Sequence, residues 1–183
     1  MPAPFPQVPH ALIRHPQSPA PDGLALQAGA AFTPAGDLML RFRLEGGNGR
    51  LRIPAAAAPE RVEGLWRHTC FEAFVMGADA PAYREFNFSP SGAWQAYGFA
   101  SYRQGGPLAN ALAPRIRRLE GGEFGLDVLL PADQLPPGPR LRLGLSAVIE
   151  TADGALSYWA LRHASGRPDF HHSDCLALEL VRP

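Results

Sequence analysis

Two glutamates, Glu72 and Glu85, lie on neighbouring segments of the chain that each alternate in polarity. In the first segment, 65–76, alternation places Glu72 on the same side as Cys70 and Phe74. An unpaired carboxylate is costly to bury in the middle of a strand. We therefore expect Glu72 to face water, a partner or a ligand.

The second segment, 83–88, places Phe86 and Phe88 inward and puts Glu85 and Asn87 on the opposite side. If the two segments pair as strands, these polar groups share one face with Glu72, with Arg84 or Arg67 nearby. Two carboxylates on neighbouring strands can supply hydrogen-bond acceptors, a metal site or an acid–base pair. The ordinary alternative is a solvated sheet face with an Arg–Glu pair, which stabilises little.

The segment 162–175 contains three histidines, two aspartates and one cysteine, which makes it the densest group of potential metal ligands. Zinc favours such nitrogen and sulfur donors. The adjacent His171 and His172 diverge in an extended segment, however, so we expect hydrogen bonds to backbone and carboxylates and no metal site. The segment can still border a ligand face and bring His163 or Asp169 close to the glutamates.

The composition excludes several classes of partner and reaction. The formal net charge of the 183 residues is zero, which argues against nucleic-acid or anionic-membrane binding. All 17 basic side chains are arginine, which indicates a coding bias rather than a device for binding phosphate. The segment 1–23 lacks a signal-peptide pattern, so we expect a cytoplasmic protein. The sequence has no nucleophile elbow, dinucleotide-binding fingerprint or P-loop, and we therefore predict a non-catalytic protein.

Alternation with a period of two recurs along the chain and predicts an all-β fold, an antiparallel β-sandwich of about ten strands. The clearest example is 37–45, where four apolar residues fall on one side. Further strands are predicted at 49–53, 66–76, 82–89, 93–102, 114–119, 123–130, 140–151, 156–163 and 175–181. Tight hairpin turns are predicted at 120–123 and 152–155. A helical turn is predicted only at 55–63 or 131–135.

Residues 1–23 contain seven prolines, so we predict a proline-rich arm without a helix or central strand. Residues 24–183 then form a single ligand-binding domain. Cys70 and Cys175 are too few and too far apart for a disulfide framework, and in a reducing compartment we expect two buried, free thiols.

The blocks LWRHTCFEAF at 65–74 and YREFNFSPSGAW at 83–94 resemble the DOMON-like superfamily, in particular its bacterial branch related to family 9 carbohydrate-binding modules. A third block, SYWALRH at 157–163, also resembles this branch. In that superfamily a Trp, a Glu six residues later and a turn with Pro-x-Gly lie at the ligand-facing sheet of a β-sandwich. Trp66 and Glu72 have this spacing.

The resemblance implies a non-catalytic domain that binds a saccharide or related polyol between aromatic and polar side chains. The implied ligand-binding residues are Trp66, Glu72, Arg84, Glu85, Asn87 and Trp159. A core position suits Trp159 equally well, because a buried indole needs only one hydrogen-bond partner. We expect no partner among nucleic acids or membranes.

Haem-binding members of the superfamily imply an alternative. Non-covalent haem b would take Met76 and one of three histidines, His163, His171 or His172, as axial ligands. Covalent haem is excluded because the sequence lacks C-x-x-C-H. A protein-interaction module that uses the open sheet face is a further alternative.

Overall fold

The structure is a computed structural model that describes residues 10–47, 49–119 and 124–183. Its strands are β1 His10–Arg14, β2 Ala25–Phe32, β3 Leu38–Glu45, β4 Cys70–Gly77, β5 Tyr83–Phe88, β6 Trp94–Ser101, β7 Gln104–Pro107, β8 Arg115–Leu119, β9 Phe124–Leu130, β10 Arg140–Glu150, β11 Leu156–Ala160 and β12 Leu178–Val181. Short 3-10 helices lie at Leu65–Arg67, Ala132–Gln134 and Ser173–Cys175.

The strands form one antiparallel sheet that is folded into two layers. The first layer has the order β1-β2-β3-β9-β8, and the second has the order β7-β6-β5-β4-β10-β11-β1, with β12 beside the first half of β10. Strand β1 belongs to both layers, because its first three residues pair with β2 and its last two pair with β11. The predicted all-β sandwich is confirmed, with twelve strands in the described residues.

The main core lies between the two layers and is built by alternate residues of their strands. Strand β3 contributes Phe42, which is fully buried, and β4 contributes Phe71 on the facing layer. The Phe42 ring centroid lies 5.1 Å from that of Phe71 and 6.5 Å from that of Phe88 on β5. Phe42 therefore ties the first layer to two strands of the second.

The second layer is buried on its outer face as well. Phe74, Tyr83, Val148, Ala160, Phe170 and Leu176 form a separate apolar cluster there. Strand β4 contributes Phe71 to one core and Phe74 to the other, so this strand is covered on both sides. Burial on both faces of a strand is unusual for an antiparallel sheet, which commonly leaves one face to solvent. Phe170 and Leu176, which follow β11 in the chain, cover part of this outer face.

Most of the predicted strands occur, with small changes at their ends. Residues 65–67 form a 3-10 helix instead of the start of a strand, because Gly64 has a φ of 75° and turns the chain before it. Residues 49–53 form only one bridge, from Leu51 to Thr151, and are not a strand. No helical turn forms at 55–63, whereas the 3-10 helix predicted within 131–135 is present.

The expectation that no strand passes through 1–23 is wrong for β1. The five residues of β1 lie between Pro9 and Pro16 and contain no proline, so their backbone amides remain available for pairing. Strands β2 and β7 were not expected, because alanine and glycine make their alternation weak. Residues 1–9 and the hairpin at 120–123 lie outside the described residues, and the division into arm and domain stays a prediction.

Cys70 and Cys175 are buried and are not joined by a disulfide. This agrees with the expectation of two free thiols. Burial raises the pKa of the Cys70 thiol well above its ordinary value, with a contribution from the charge of Glu72. In the described ranges, no helix is both long and apolar enough to cross a lipid bilayer.

Replacement of Phe42, whose ring contacts two strands of the second layer, tests the packing of the main core. Phe42→Ala removes the contacts to both aromatic partners and leaves a cavity, so we expect the free energy of unfolding to fall by about 3–5 kcal/mol. Urea denaturation followed by circular dichroism measures it. Leu112→Ala is the control, because Leu112 is half exposed and its loss should change stability little. Equal losses in the two variants would contradict this packing.

Candidate functional site

A cavity of about 560 Å³ opens on the outer face of the second layer. Strands β4, β5, β6 and β10 form its floor, the β6–β7 turn lies on one side, and the segment 167–171 lies on the other. The cavity has aromatic walls made by Trp66, Phe74, Tyr97, Phe99, Tyr158 and Phe170. The ionisable side chains that line it are Glu72, Glu85, Arg103, Arg167, Asp169 and His171.

Strand register brings the two glutamates to the same face. Phe74 lies opposite Glu85 in the pairing of β4 with β5, and Glu85 lies opposite Tyr97 in the pairing of β5 with β6. Glu72 lies two residues before Phe74 and opposite Asn87. Because side chains alternate along a strand, all of these residues point away from the main core.

Glu72 lies deep in the floor and is only 2% exposed. The Ser146 hydroxyl donates to its Oε2 at 3.5 Å, a long hydrogen bond from the neighbouring strand β10. Burial raises the pKa of Glu72 well above its ordinary value, and the charge of Glu85 raises it further. Both effects disfavour the charged form of Glu72.

Glu85 is 6% exposed and has one well-formed hydrogen bond. The Asn87 amide nitrogen donates to its Oε1 at 2.9 Å, while its Oε2 lies 3.6 Å from Nε2 of His171. Burial raises the pKa of Glu85 to about 7, although the Asn87 hydrogen bond opposes the shift. Asn87 has no exposed surface, and its hydrogen bond fixes the position of the Glu85 side chain.

His171 lies between Tyr83 and Glu85. The backbone N–H of Arg103 donates to the Tyr83 hydroxyl oxygen at 3.0 Å, and Nδ1 of His171 lies 2.8 Å from the same oxygen. Nε2 of His171 faces Glu85 at 3.6 Å. Burial lowers the pKa of His171 to about 4, with a contribution from the charge of Arg103. The neutral form of His171 is therefore favoured near pH 7.

A hydrogen-bonded clamp closes the rim between the β6–β7 turn and the segment 167–171. Arg103 has a φ of 56°, and its guanidinium donates to Oδ1 of Asp169 at 2.8 Å. The Tyr102 hydroxyl donates to the other carboxylate oxygen, and the His171 backbone N–H donates to Oδ1 at 3.1 Å. Burial alone would raise the pKa of Asp169, but the hydrogen bonds from Tyr102 and Arg103 lower it. A non-glycine residue in the left-handed region is strained, and this clamp holds it there.

Three of the predicted ligand-binding residues, Trp66, Glu72 and Glu85, line the cavity. Trp66 lies at the mouth with 47% of its surface exposed, and the Arg67 guanidinium lies 5.1 Å from its ring centroid. Asn87 contributes through Glu85, as its hydrogen bond shows. The structure thus brings together four of the six predicted residues.

Arg84 and Trp159 do not belong to the site. Arg84 lies between Tyr83 and Glu85 on β5, so alternation turns it to the opposite face of the strand. Trp159 is 6% exposed within the main core, and its indole N–H donates to the Ser157 hydroxyl at 2.9 Å. The sequence left open whether Trp159 lies in the core or in a ligand wall, and in the structure it lies in the core.

Several lining residues were missed or left undecided by sequence reasoning. Tyr97 and Phe99 lie an odd number of residues from Trp94, which belongs to the main core, and so face the cavity. Strict application of the period of two would have found them. Asp169 does border the site as expected, and His171 joins it.

The other histidines of the segment 162–175 have structural partners. His163 contacts the Ile13 carbonyl through Nε2 at 2.7 Å, and Nδ1 of His172 accepts from the Asp174 backbone N–H at 3.2 Å. Across the residues that the structure describes, no group of three or more metal-ligating side chains could hold an ion. The expected hydrogen bonding to backbone is therefore present in this segment.

One solved structure similar to this chain is a protein from Bacteroides uniformis ATCC 8492, provisionally described as carbohydrate-binding. The two share 17% sequence identity with a TM-score of 0.65, over 91% of this chain and 82% of that protein. At this identity the likeness establishes a common fold. No protein-family model matches the chain, and no curated protein matches it significantly.

The buried Glu85 predicts a particular pH dependence of stability. Its pKa rises from an ordinary 4.5 to about 7 on folding, so the folded state retains a proton that the unfolded state releases. This stabilisation is present at low pH and is lost as the pH rises through that interval. Glu85→Gln removes the titration, and we expect the variant to gain about 2–3 kcal/mol relative to the wild type between about pH 5 and about pH 8. Urea denaturation at several pH values measures the difference.

Glu60→Gln is the matched control, because it makes the same substitution at an exposed position. His171 titrates in the opposite sense, since its pKa is lowered to about 4 on folding, and measurements above about pH 5 keep its titration out of the comparison. A pH-independent difference for Glu85→Gln would contradict the burial of this carboxyl group.

Proposed function

We propose that the chain is a non-catalytic binding domain whose cavity on the second layer takes a saccharide or related polyol. The observation that carries the proposal is the combination of aromatic walls with buried, fixed polar groups in a cavity of about 560 Å³. A cavity of this size suits a small ligand, and a few placed polar groups within apolar walls are typical of such sites. The fold shared with a protein provisionally described as carbohydrate-binding supports the same function.

The aromatic side chains suit the apolar C–H faces of a sugar ring. Trp66 leaves about half of its surface open at the mouth, where a sugar can pack against the indole. Tyr97 and Phe99 are also partly exposed on the cavity side of β6. One face of Phe99 is already stacked on Tyr83 at 4.7 Å, which fixes its orientation. Rigid rings lose little conformational freedom when they bind a ligand.

The polar groups suit the hydroxyl groups of a sugar. Glu72 and Glu85 offer oxygens in the floor, and the neutral His171 is held by Tyr83. The Asp169–Arg103 pair adds an acceptor and a donor at the rim. These groups are held by neighbouring side chains before a ligand arrives, so binding does not need to order them.

We further propose that the chain is related to the DOMON-like superfamily through its branch near family 9 carbohydrate-binding modules. Trp66 and Glu72, which carry the resemblance in sequence, both line the cavity. The haem alternative has weaker support. Met76 packs against the apolar cluster of the same face, but both ring nitrogens of His171 are directed at Tyr83 and Glu85.

Titration calorimetry with a panel of glucose, mannose, cellobiose, maltose and diacetylchitobiose tests the proposal. We expect at least one sugar to bind, and Trp66→Ala to weaken that binding by about tenfold or more while the fold is retained. Circular dichroism checks the fold. Absence of binding across the panel would contradict the proposal.

Trp159→Phe is the matched control, because it also removes an indole but lies in the main core. Loss of its hydrogen bond to Ser157 should reduce stability without changing the affinity for sugar. Equal effects of the two substitutions on affinity would argue that Trp66 acts through the fold and not through contact with the ligand.

A further inference from the structure

We propose that the ligand of this cavity is cationic: an amino sugar whose ammonium group lies between Glu72 and Glu85. This inference rests on the proposed saccharide function and specifies its chemical class. It stands on the geometry of the two carboxyl groups, on the contrast with the other buried acids of the chain and on the rings around the cavity.

Neither glutamate has a cationic partner in the described part of the chain. Glu72 is 98% buried, and the Ser146 hydroxyl at 3.5 Å is its one hydrogen bond among the described residues. Oε2 of Glu85 lies 3.6 Å from the neutral His171, beyond hydrogen-bond distance. Both side chains line the cavity, so a ligand can reach the carboxyl groups.

The other buried acidic side chains that the structure describes are paired with arginine. Asp127 is bound by the guanidinium groups of Arg41, Arg43 and Arg117. Glu150 is bound by Arg52 at 2.8 Å and also contacts a histidine. The chain therefore pairs its buried carboxylates with cations, except for the two in the cavity. Burial disfavours the charged forms of Glu72 and Glu85, and a cationic ligand would supply the partner that Asp127 and Glu150 already have.

The cations that line the cavity do not fill this role. The Arg103 guanidinium is held by Asp169 at the rim, where the two charges offset each other. Arg167 is exposed and forms no ion pair with either glutamate. Neither arginine therefore occupies the space between the two glutamates and the aromatic walls, and a cation of the ligand can enter it.

An ammonium group suits both surfaces of this space. It carries three N–H donors, so one ammonium group can donate to more than one carboxylate oxygen. Hydrogen bonds between ions are stronger than those to a neutral hydroxyl, and a low-dielectric site increases the difference. The faces of Phe74 and Tyr97, which flank Glu85 in the strand register, attract a cation as well.

Binding of an ammonium group should release protons. The pKa of each glutamate is raised by burial, and a cation between them lowers both values. The other titratable groups that face the pair are Cys70 on β4, Tyr83 on β5, Tyr97 on β6, Arg103 in the β6–β7 turn, and Arg167, Asp169 and His171 on the opposite rim. The amine of an amino sugar itself titrates near neutral pH, so at about pH 5 the free ligand already carries its proton and the glutamates are the groups that release protons on binding.

Titration calorimetry at about pH 5 with three disaccharides tests the inference: the fully deacetylated chitosan dimer, diacetylchitobiose and cellobiose. All three have a β-1,4 linkage, and the chitosan dimer alone is charged. We expect the chitosan dimer to bind roughly tenfold more tightly, or better, than either neutral sugar. Repetition in buffers of different ionisation enthalpy should reveal protons released with the chitosan dimer and none with cellobiose.

Two variants locate the effect. Glu72→Gln should reduce the affinity for the chitosan dimer to that for cellobiose, whereas Glu60→Gln, at an exposed site, should leave the preference intact. If circular dichroism shows that Glu72→Gln does not fold, Glu85→Gln replaces it. In either case, the comparison of the three sugars on the wild-type chain decides whether the cavity prefers a cationic ligand.

The outcomes separate this inference from the proposed function. Equal binding of cellobiose and the chitosan dimer, without proton release, would overturn the cationic ligand and leave saccharide binding in place. Absence of binding by all three sugars and by glucose, mannose and maltose would overturn both. A preference for the chitosan dimer that survives Glu72→Gln and Glu85→Gln would overturn the assignment of the ammonium site to these glutamates.

Discussion

Hydrogen bonding of β4 between β5 and β10 sets the geometry on which the other features depend. Eight residues of β4 pair with β10, and six pair with β5, so its register is specified from both sides. A shift by one residue would send Phe71 to the cavity and Glu72 into the main core. Because a carboxyl group among phenylalanines is strongly unfavourable, the main core itself keeps Glu72 on the outer face.

The same alternation gives the outer face two zones of different polarity. Around Glu72, the paired positions across neighbouring strands are Ser146, Asn87 and Gln95, which form a row of polar side chains. The next row along the strands contains Phe74, Glu85 and Tyr97, in which aromatic groups surround a single carboxyl group. Of the polar row, Glu72 lines the cavity, whereas all three residues of the second row do.

Much of this arrangement is encoded locally and could be predicted. Alternation alone places Glu72 and Glu85 on one face, and the same rule assigns Arg84 to the other face and Tyr97 to the cavity. It cannot place Trp159, because an indole suits either a core or a ligand wall. The position of His171 depends on the path of a loop that returns over β5 and β6, and it is fixed by Tyr83, which is 88 residues away. No local pattern contains that information.

Strand β1 gives the two layers a shared element whose partners lie far apart in the chain. Its first half pairs with β2, about fifteen residues later, whereas Ile13 and Arg14 pair with Ala160 and Trp159. A chain that emerges from the ribosome in sequence order can form the β1–β2 hairpin early. It cannot close the second layer until nearly seven-eighths of its length has been made. Until then, one edge of β1 is free to pair with other chains, so synthesis of this protein passes through a stage that is prone to aggregation.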